Sequence, residues 1–355
     1  MSELRRRQLV LGGAAATAVA VGGTASPALA SEPRSQRPFR PPAGPRYRLI
    51  SDNDYSGDPD GLYQLVHHLL SPSVDVRAAI GSHLAPGDPF DPSTQQATNA
   101  YRRILEVLRL MGLTGRVPAY QGSNAALVDT RTPQRSAGAQ AIVAEAMRSD
   151  TQLSLFATFG AGLTELASAL LMEPRIAERL TAVWIGGPEY PDLGVPPPPG
   201  SSGVEYNLHI DLTAAQVVFD SPIPLWQVPR NVYRQALVSM TELITQVRPA
   251  GRIGNHLYER IFDIFELAAG GGLNMGETYI LGDSPLVLLT ALQSSFEADP
   301  SSSRYVTRFA PRINDDGTYT PRESGRRIRV YTELDVRLMF SDLFTKLQIY
   351  RDRGR

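Results

Sequence analysis

The sequence predicts an α/β fold built on a mainly parallel, mixed central sheet with helices on both faces. Two observations carry this expectation. From about Tyr47 onward, short runs of β-type residues alternate with stretches of helical periodicity, which is the pattern of strand-helix-strand crossovers. At 355 residues and 42% hydrophobic content, the chain can also bury the large core that such a sheet needs.

Ahead of this domain the N-terminus reads as an address. Arg5, Arg6 and Arg7 precede an apolar run of small residues over 9–25 and the triplet Ala28-Leu29-Ala30. That order predicts a signal peptide over 1–30 with an A-x-A cleavage site. An arginine pair followed by Gln8, Leu9 and Val10 is of the twin-arginine type, which implies export to the periplasm or beyond. A membrane anchor is the competing reading, but the run is rich in Gly, Ala and Thr and short for a span of ~20 residues. Residues 31–46, rich in Pro, Arg and Ser without apolar periodicity, read as a linker. The domain that carries the chemistry is then 47–350.

Within it, strands are expected at 47–50, 74–80, 153–157, 182–185 and 223–228. A helix is expected over 62–70, where Leu62, Val66, Leu69 and Leu70 point to packing and make His67 and His68 structural. The clearest amphipathic helix sets Ala97, Tyr101, Ile104, Leu105 and Leu108 on one face after a Ser93 cap. Trp184 and Trp226 fall in strands and read as core. The stretch 188–204 contains PPPPG and SSG, so it is a loop with a rigid proline segment, either a lid or a surface excursion. Arg326, Arg327 and Arg329 read as solvated charges on a strand.

Composition removes several classes of function. With no cysteine, disulfides, thiolate metal sites and a cysteine nucleophile are excluded. A formal net charge of −1 gives no reason to expect nucleic acid or an acidic membrane as partner. No phosphate-binding glycine loop is present, since Gly270-Gly271-Gly272 lacks both the strand and the lysine that such a loop needs.

The chemistry concentrates after the first strand, in Asp52-Asn53-Asp54-Tyr55-Ser56-Gly57-Asp58-Pro59-Asp60-Gly61. Four carboxylates fall at a strand's carboxyl end, where open α/β sheets bind ligands. Two carboxylates ~4 Å apart repel by about 4 kcal/mol at an effective dielectric of 20, so the cluster needs protonation, wide spacing or a cation. Calcium suits an all-oxygen set, whereas zinc would want histidine or cysteine nearby, which the loop lacks. A solvated turn or helix cap remains the alternative for this loop taken alone.

Several ordered segments then resemble one family, the inosine-uridine-preferring nucleoside hydrolases, whose first strand ends in a D-x-D-P-G-x-D-D loop. Arg48 to Asp54 resembles the strand and opening of that loop. LSLFATFGAGLTELA over 153–167, AVWIGG over 182–187 and Leu281-Gly282-Asp283-Ser284-Pro285-Leu286 resemble later family segments. Glu205-Tyr206-Asn207-Leu208-His209-Ile210-Asp211, followed by Ala214-Ala215, is the most specific match.

The resemblance implies a calcium-dependent hydrolase of N-glycosidic bonds in ribonucleosides or similar ribosides, with a small-molecule partner and dimers or tetramers as the usual assembly. It implies that Asp54 binds calcium and is the base for a metal-bound water, with the Thr158 carbonyl and Asp283 completing the protein ligands. Glu205 and Asn207 are then expected at the ribose hydroxyls, with Asp52, Asp60 and Asp283 also at the substrate. Two departures stand out. Gly61 replaces the second aspartate of the family's pair in a loop two residues longer, so Asp58 or Asp60 is expected to supply the missing ligand. Gly282 stands where many members carry the histidine that protonates the leaving base. His83, His209, His256 and Tyr279 are candidate replacements, and Asp88 lies near a sugar-contacting position. A binding module without turnover, or a hydrolase of another glycoside, are the other readings.

Overall fold

Residues Tyr47–Asn53 form β1, and all but the first are buried. Leu49 packs into the apolar layer on one face of the sheet and Ile50 into the layer on the other. Both faces are covered, so burial runs continuously along the strand, polar residues included, rather than alternating. The structure, a computed structural model, describes residues 40–41, 43–199, 203–294 and 302–353. The expected signal peptide over 1–30 lies outside the described residues, as does most of the expected linker. The linker's end is anchored: the Arg46 amide donates to the Ser73 carbonyl at 2.8 Å.

From β1 the chain runs through α1 (Asp60–Leu69), β2 (Val74–Gly81), α2 (Gln96–Leu110), β3 (Ala119–Gln121), α3 (Ala137–Ala146), β4 (Leu155–Phe159), α4 (Thr164–Met172) and β5 (Leu180–Ile185). It continues with α5 (Tyr206–Ile210), α6 (Leu212–Asp220), β6 (Leu225–Val228), α7 (Arg230–Tyr233), β7 (Leu237–Ser239), α8 (Met240–Glu242), α9 (Gly251–Gly270) and β8 (Thr278–Ile280). The last elements are α10 (Pro285–Leu288), β9 (Arg304–Phe309), β10 (Arg312–Ile313), β11 (Tyr319–Thr320), β12 (Arg327–Glu333) and α11 (Val336–Arg353).

Eight strands make the main sheet in the order β3-β2-β1-β4-β5-β6-β12-β9. Every pairing is parallel except β12 with β9, which gives the mixed, mainly parallel sheet expected. Strand order reverses between β1 and β4. The crevice beyond the carboxyl ends of these two neighbours is therefore the topological switch point, where open α/β sheets hold ligands. The acidic loop leaves β1 there and Gly160 leaves β4 there.

Several local expectations change. Ser93 does not cap α2: the helix starts at Gln96, and the Ser93 hydroxyl donates to Asp91 instead. The buried stripe is Ala97, Ala100, Ile104, Val107 and Leu108, with Leu105 on the exposed side. Arg326 is not solvated, because its guanidinium donates to the carbonyls of Val218, Phe219 and Ile223. Arg329 lies over the rings of Trp226 and Tyr305. Trp184 is fully buried, as expected of core, whereas Trp226 is half-buried at the margin of its layer.

His67 and His68 are structural. His67 meets Asp342 of α11 at 2.7 Å, and His68 bridges Gln64 and Thr290. Burial pushes both imidazoles down, His67 to about 4, so they hold α1 as neutral groups at neutral pH. Among the described residues no helix is long and apolar enough to cross a membrane.

Candidate functional site

A cavity of about 390 Å³ opens at the switch point, lined by Asp54, Asp58, Asp60 and Asp283 on one side and by Glu205, Tyr206, Asn207 and Tyr233 on another. The loop between β1 and α1 positions the first three. The Asp54 carbonyl accepts from Gly57 N at 2.8 Å, and Asp58 Oδ1 accepts from Asp60 N at 3.2 Å, a side-chain turn that starts α1 at Asp60. Tyr279 in β8 donates its hydroxyl to the same Asp58 oxygen at 2.8 Å. Asp283, just before α10, donates its backbone N–H to Asp60 Oδ2 at 3.2 Å.

These carboxylates are expensive to ionise where they stand. Burial pushes Asp54 and Asp60 well above the usual carboxylate range, and the neighbouring charges of Asp283 and Asp58 push the same way. Burial raises Asp283 to about 7 against a hydrogen bond from Asn53 that lowers it. Burial also raises Asp58 to about 6, opposed by the Tyr279 hydroxyl. An all-oxygen set of mutually repelling, buried carboxylates fits a hard cation, which removes both penalties at once. The side chains do not converge as a closed cage: among the described residues no three His, Cys, Asp or Glu side chains lie close enough to hold an ion by themselves. Carbonyl and water oxygens would have to complete a coordination shell.

The expected residues divide into three sets. Asp54, Asp58, Asp60, Asp283, Glu205, Asn207 and Asp88 all line the cavity. Asp52 does not. Its carboxylate turns away, accepts from the Ser82 hydroxyl and lies beside Glu165, so the expected substrate contact is replaced by a buried acid pair bridged by Ser82. The Thr158 carbonyl is also misplaced for the expected role. Arg48 N bonds Ser154 O and Gly160 N bonds Asp52 O. In a parallel ladder every second residue repeats this pattern, which turns the Thr158 carbonyl toward β1. Gly160, two residues on, lines the cavity, and its carbonyl accepts from Asn207 Nδ2 at 3.0 Å.

Glu205 reaches the cavity but is saturated. Its Oε2 accepts from Gly187 N at 2.6 Å and Leu208 N at 3.0 Å, and its Oε1 from Asn207 N at 3.3 Å and the Tyr233 hydroxyl at 2.9 Å. A carboxylate offers about four lone-pair sites, so the group facing a ligand is the Tyr233 oxygen rather than Glu205 itself. Gly187 can donate because it adopts φ 87°, and a Cβ there would sit 2.0 Å from the Tyr319 hydroxyl. Asn207 Nδ2 is held by the carbonyls of Gly160 and Ile185, which leaves its Oδ1 to accept from a ligand.

None of the candidate histidines lines the cavity. His83 is buried between Leu84 O and Thr164 Oγ1, His209 is exposed on α5 and His256 lies on α9. Tyr279 contacts the site only through Asp58. A side chain at Gly282 would have its Cβ 3.2 Å from Asp60 Oδ2 and 3.4 Å from Tyr233 Cδ2. The Tyr233 ring therefore borders the volume where the expected histidine would start. The stretch 188–204 is pinned at its root, where Glu189 pairs bidentately with Arg230 and Tyr190 is buried under Arg308.

Tyr233, Tyr206, Phe90 and Arg230 are among the cavity groups that sequence reasoning did not single out, and Asn53 lies behind the cavity, bonded to Asp283 and to the Asp54 amide. Tyr206, whose hydroxyl bonds Asp88, was within reach, since it lies inside the Glu205–Asn207 segment.

Solved structures with this fold include a plant nucleoside hydrolase, PpNRh1, at 18% identity and TM-score 0.63, covering 85% of this chain and 99% of that one. A purine-preferring ribonucleoside hydrolase from Gardnerella vaginalis aligns at 16% identity and TM-score 0.64, covering 86% and 99%. The type III effector protein XopQ complexed with adenosine diphosphate ribose aligns at 14% identity and TM-score 0.57, covering 90% and 96%. No curated protein sequence matches the chain. The family model for the inosine-uridine preferring nucleoside hydrolases, enzymes that cleave N-glycosidic bonds, matches residues 49–339, and the chain belongs to that family.

Proposed function

We propose that the protein is an exported, calcium-dependent hydrolase of ribonucleosides or closely related ribosides. The observation that carries this reading is the cavity itself, with four destabilised carboxylates on one side and the free Asn207 Oδ1 on another. Asp54, Asp60, Asp283 and the Gly160 carbonyl are the groups that a bound ion would have to draw together, with Asp58 as a further donor and water completing the shell. When bound, calcium supplies the positive charge that grips a vicinal diol and lowers the pKa of a water.

The protein's own groups do the rest. Asp54 accepts a proton from the attacking water at its carboxylate. Asn207 Oδ1 and the Tyr233 oxygen accept from sugar hydroxyls and fix the ring. As the glycosidic bond breaks, the remaining carboxylates stabilise the oxocarbenium-like sugar electrostatically. Phe90 and Tyr206, both lining the cavity and partly exposed, flank the space left for the base. The arginine-led segment 1–30 supports export, and family habit supports a homo-oligomer.

A second reading is an exported riboside-binding protein without turnover. It is favoured by the lack of any histidine among the described residues lining the cavity and by the fold shared with an effector solved with adenosine diphosphate ribose. The test is reducing-sugar release from a panel of purine and pyrimidine nucleosides, with chelator and with calcium added back. Release that chelator abolishes and calcium restores supports hydrolysis. Calcium-dependent binding of ribose or nucleoside with no release from any of them supports the binder.

A further inference from the structure

We propose that Asn53 and Gly61 are two halves of one exchange, in which the Asn53 carboxamide occupies the space where a side chain at position 61 would start and uses it to steer Asp283 and the Asp54 backbone from behind. This rests on the calcium reading above. A Cβ built at Gly61 would lie 2.8 Å from Asn53 Nδ2 and 3.0 Å from its Cγ, and one built at Gly160 would lie 2.3 Å from Asn53 Nδ2. The carboxamide therefore fills the space into which a side chain at 61 would start, wedged between two glycines. Its orientation is fixed by its partners. Oδ1 accepts from Asp54 N at 2.8 Å, and Nδ2 donates to Asp283 Oδ2 at 2.8 Å. Nδ2 also approaches Gln64 Oε1 at 3.4 Å.

The consequence is a centre in which Asp58 keeps the loop's carboxylates at four although position 61 carries none, and in which Asp283 is held from behind by an N–H. One Asp283 oxygen is tied to Asn53, and the same carboxylate stands beside that of Asp60. Asn53 is thus a positioning residue: it steers Asp283 on one side and the Asp54 backbone on the other, and touches neither sugar nor ion. Such outer-shell partners typically carry about 10- to 100-fold in metal affinity. An aspartate at 61 would lie in the first turn of α1, where a carboxylate suits the helix electrostatically. What it meets first is the Asn53 carboxamide, which would have to leave Asp283 to make room.

The test is a cycle of Asn53→Ala, Gly61→Asp and the double variant, read by calcium titration calorimetry and by thermal unfolding in chelator. Asn53→Ala is expected to weaken calcium binding at least tenfold. Gly61→Asp alone is expected to lower the unfolding temperature and give no gain in affinity, because its Cβ meets Asn53. The double variant is expected to recover both properties, with calcium affinity at or above that of the wild type. Calcium affinity unchanged by Asn53→Ala, or single effects that simply add in the double variant, overturns the proposal. If the wild type binds no divalent cation, the calcium reading fails by itself. Thermal unfolding then decides the exchange alone: stability restored in the double variant upholds it, and additive losses overturn it.

Discussion

Lowering the pH from about 7.5 to about 5.5 should weaken calcium binding by at least roughly 25-fold if Asp283 is a ligand and Asp58 is not, and by at least roughly 100-fold if both are, because Asp54 and Asp60 are raised as well. The sign follows from the direction of the shifts. Burial raises Asp283 to about 7 and Asp58 to about 6, and calcium binds the deprotonated form, so each proton that must leave competes with the ion. The perturbation is best read as the affinity difference rather than as raw stability. In metal-free protein the raised carboxylates make stability fall as pH climbs from the ordinary 3.8 through their folded values, on the order of 4 kcal/mol for Asp283 alone. His67, lowered from 6.5 to about 4, works in the opposite sense over the overlapping range, since its stabilising contribution is lost as pH falls between those values. Calorimetric titration at several pH values isolates the carboxylates, because His67 bonds Asp342 of α11 rather than the cavity. Asp58→Asn should shrink the pH dependence by roughly fourfold if Asp58 is a ligand. A calcium dissociation constant that moves less than about threefold over this range would refute the reasoning, because the carboxylates would then not be the groups that ion binding deprotonates.

Other outcomes follow from the same geometry. Asp54→Asn should lower the rate of sugar release by about 10²- to 10⁴-fold while raising the unfolding temperature in chelator, since it removes a charge that burial and Asp283 disfavour; paired kinetic and calorimetric measurements check this. Tyr233→Phe strips one donor from Glu205 and should cost about 2 kcal/mol in urea unfolding, with a rise in KM larger than the change in kcat if the phenol oxygen holds a sugar hydroxyl. Gly187→Ala places a methyl 2.0 Å from the Tyr319 hydroxyl at a backbone φ of 87°; it should cost about 3 kcal/mol in the same assay and reduce sugar release as the Gly187 N–H leaves Glu205.

What the sequence revealed depended on how local each cause was. The acidic loop was legible because a short β-like run ending in Leu49-Ile50, a cluster of aspartates and a helix start lie within a short stretch. The pairing of β1 with β4 was not readable residue by residue, so the direction of the Thr158 carbonyl, set by the ladder, was missed and Gly160 overlooked. Glu205 and Asn207 stood out as a motif, but the saturation of Glu205 depends on Tyr233, 28 residues further on, in a helix of four residues with no periodicity to announce it. The Ser93 cap failed through local competition, because the Asp91 carboxylate claims the hydroxyl. The gap at Gly61 was visible in the sequence. Its filling by Asn53 was not, because occupancy of a volume is a property of the packed state.

The bond from Asn53 to Asp283 spans 230 positions of the chain, and this bears on when the centre comes into existence. During synthesis β1 and its acidic loop emerge early, and β2 and β4 can pair with β1 once about a hundred further residues have followed. Until residue 283 is made, the carboxamide has no carboxylate to hold and the cavity lacks one wall. Contacts of such long separation form late, because the chain must first give up the freedom of a very large loop. If the centre takes up calcium as proposed, ion capture is a closing event of maturation rather than a nucleus for it, and a translocation route that carries finished globules would deliver the centre already assembled.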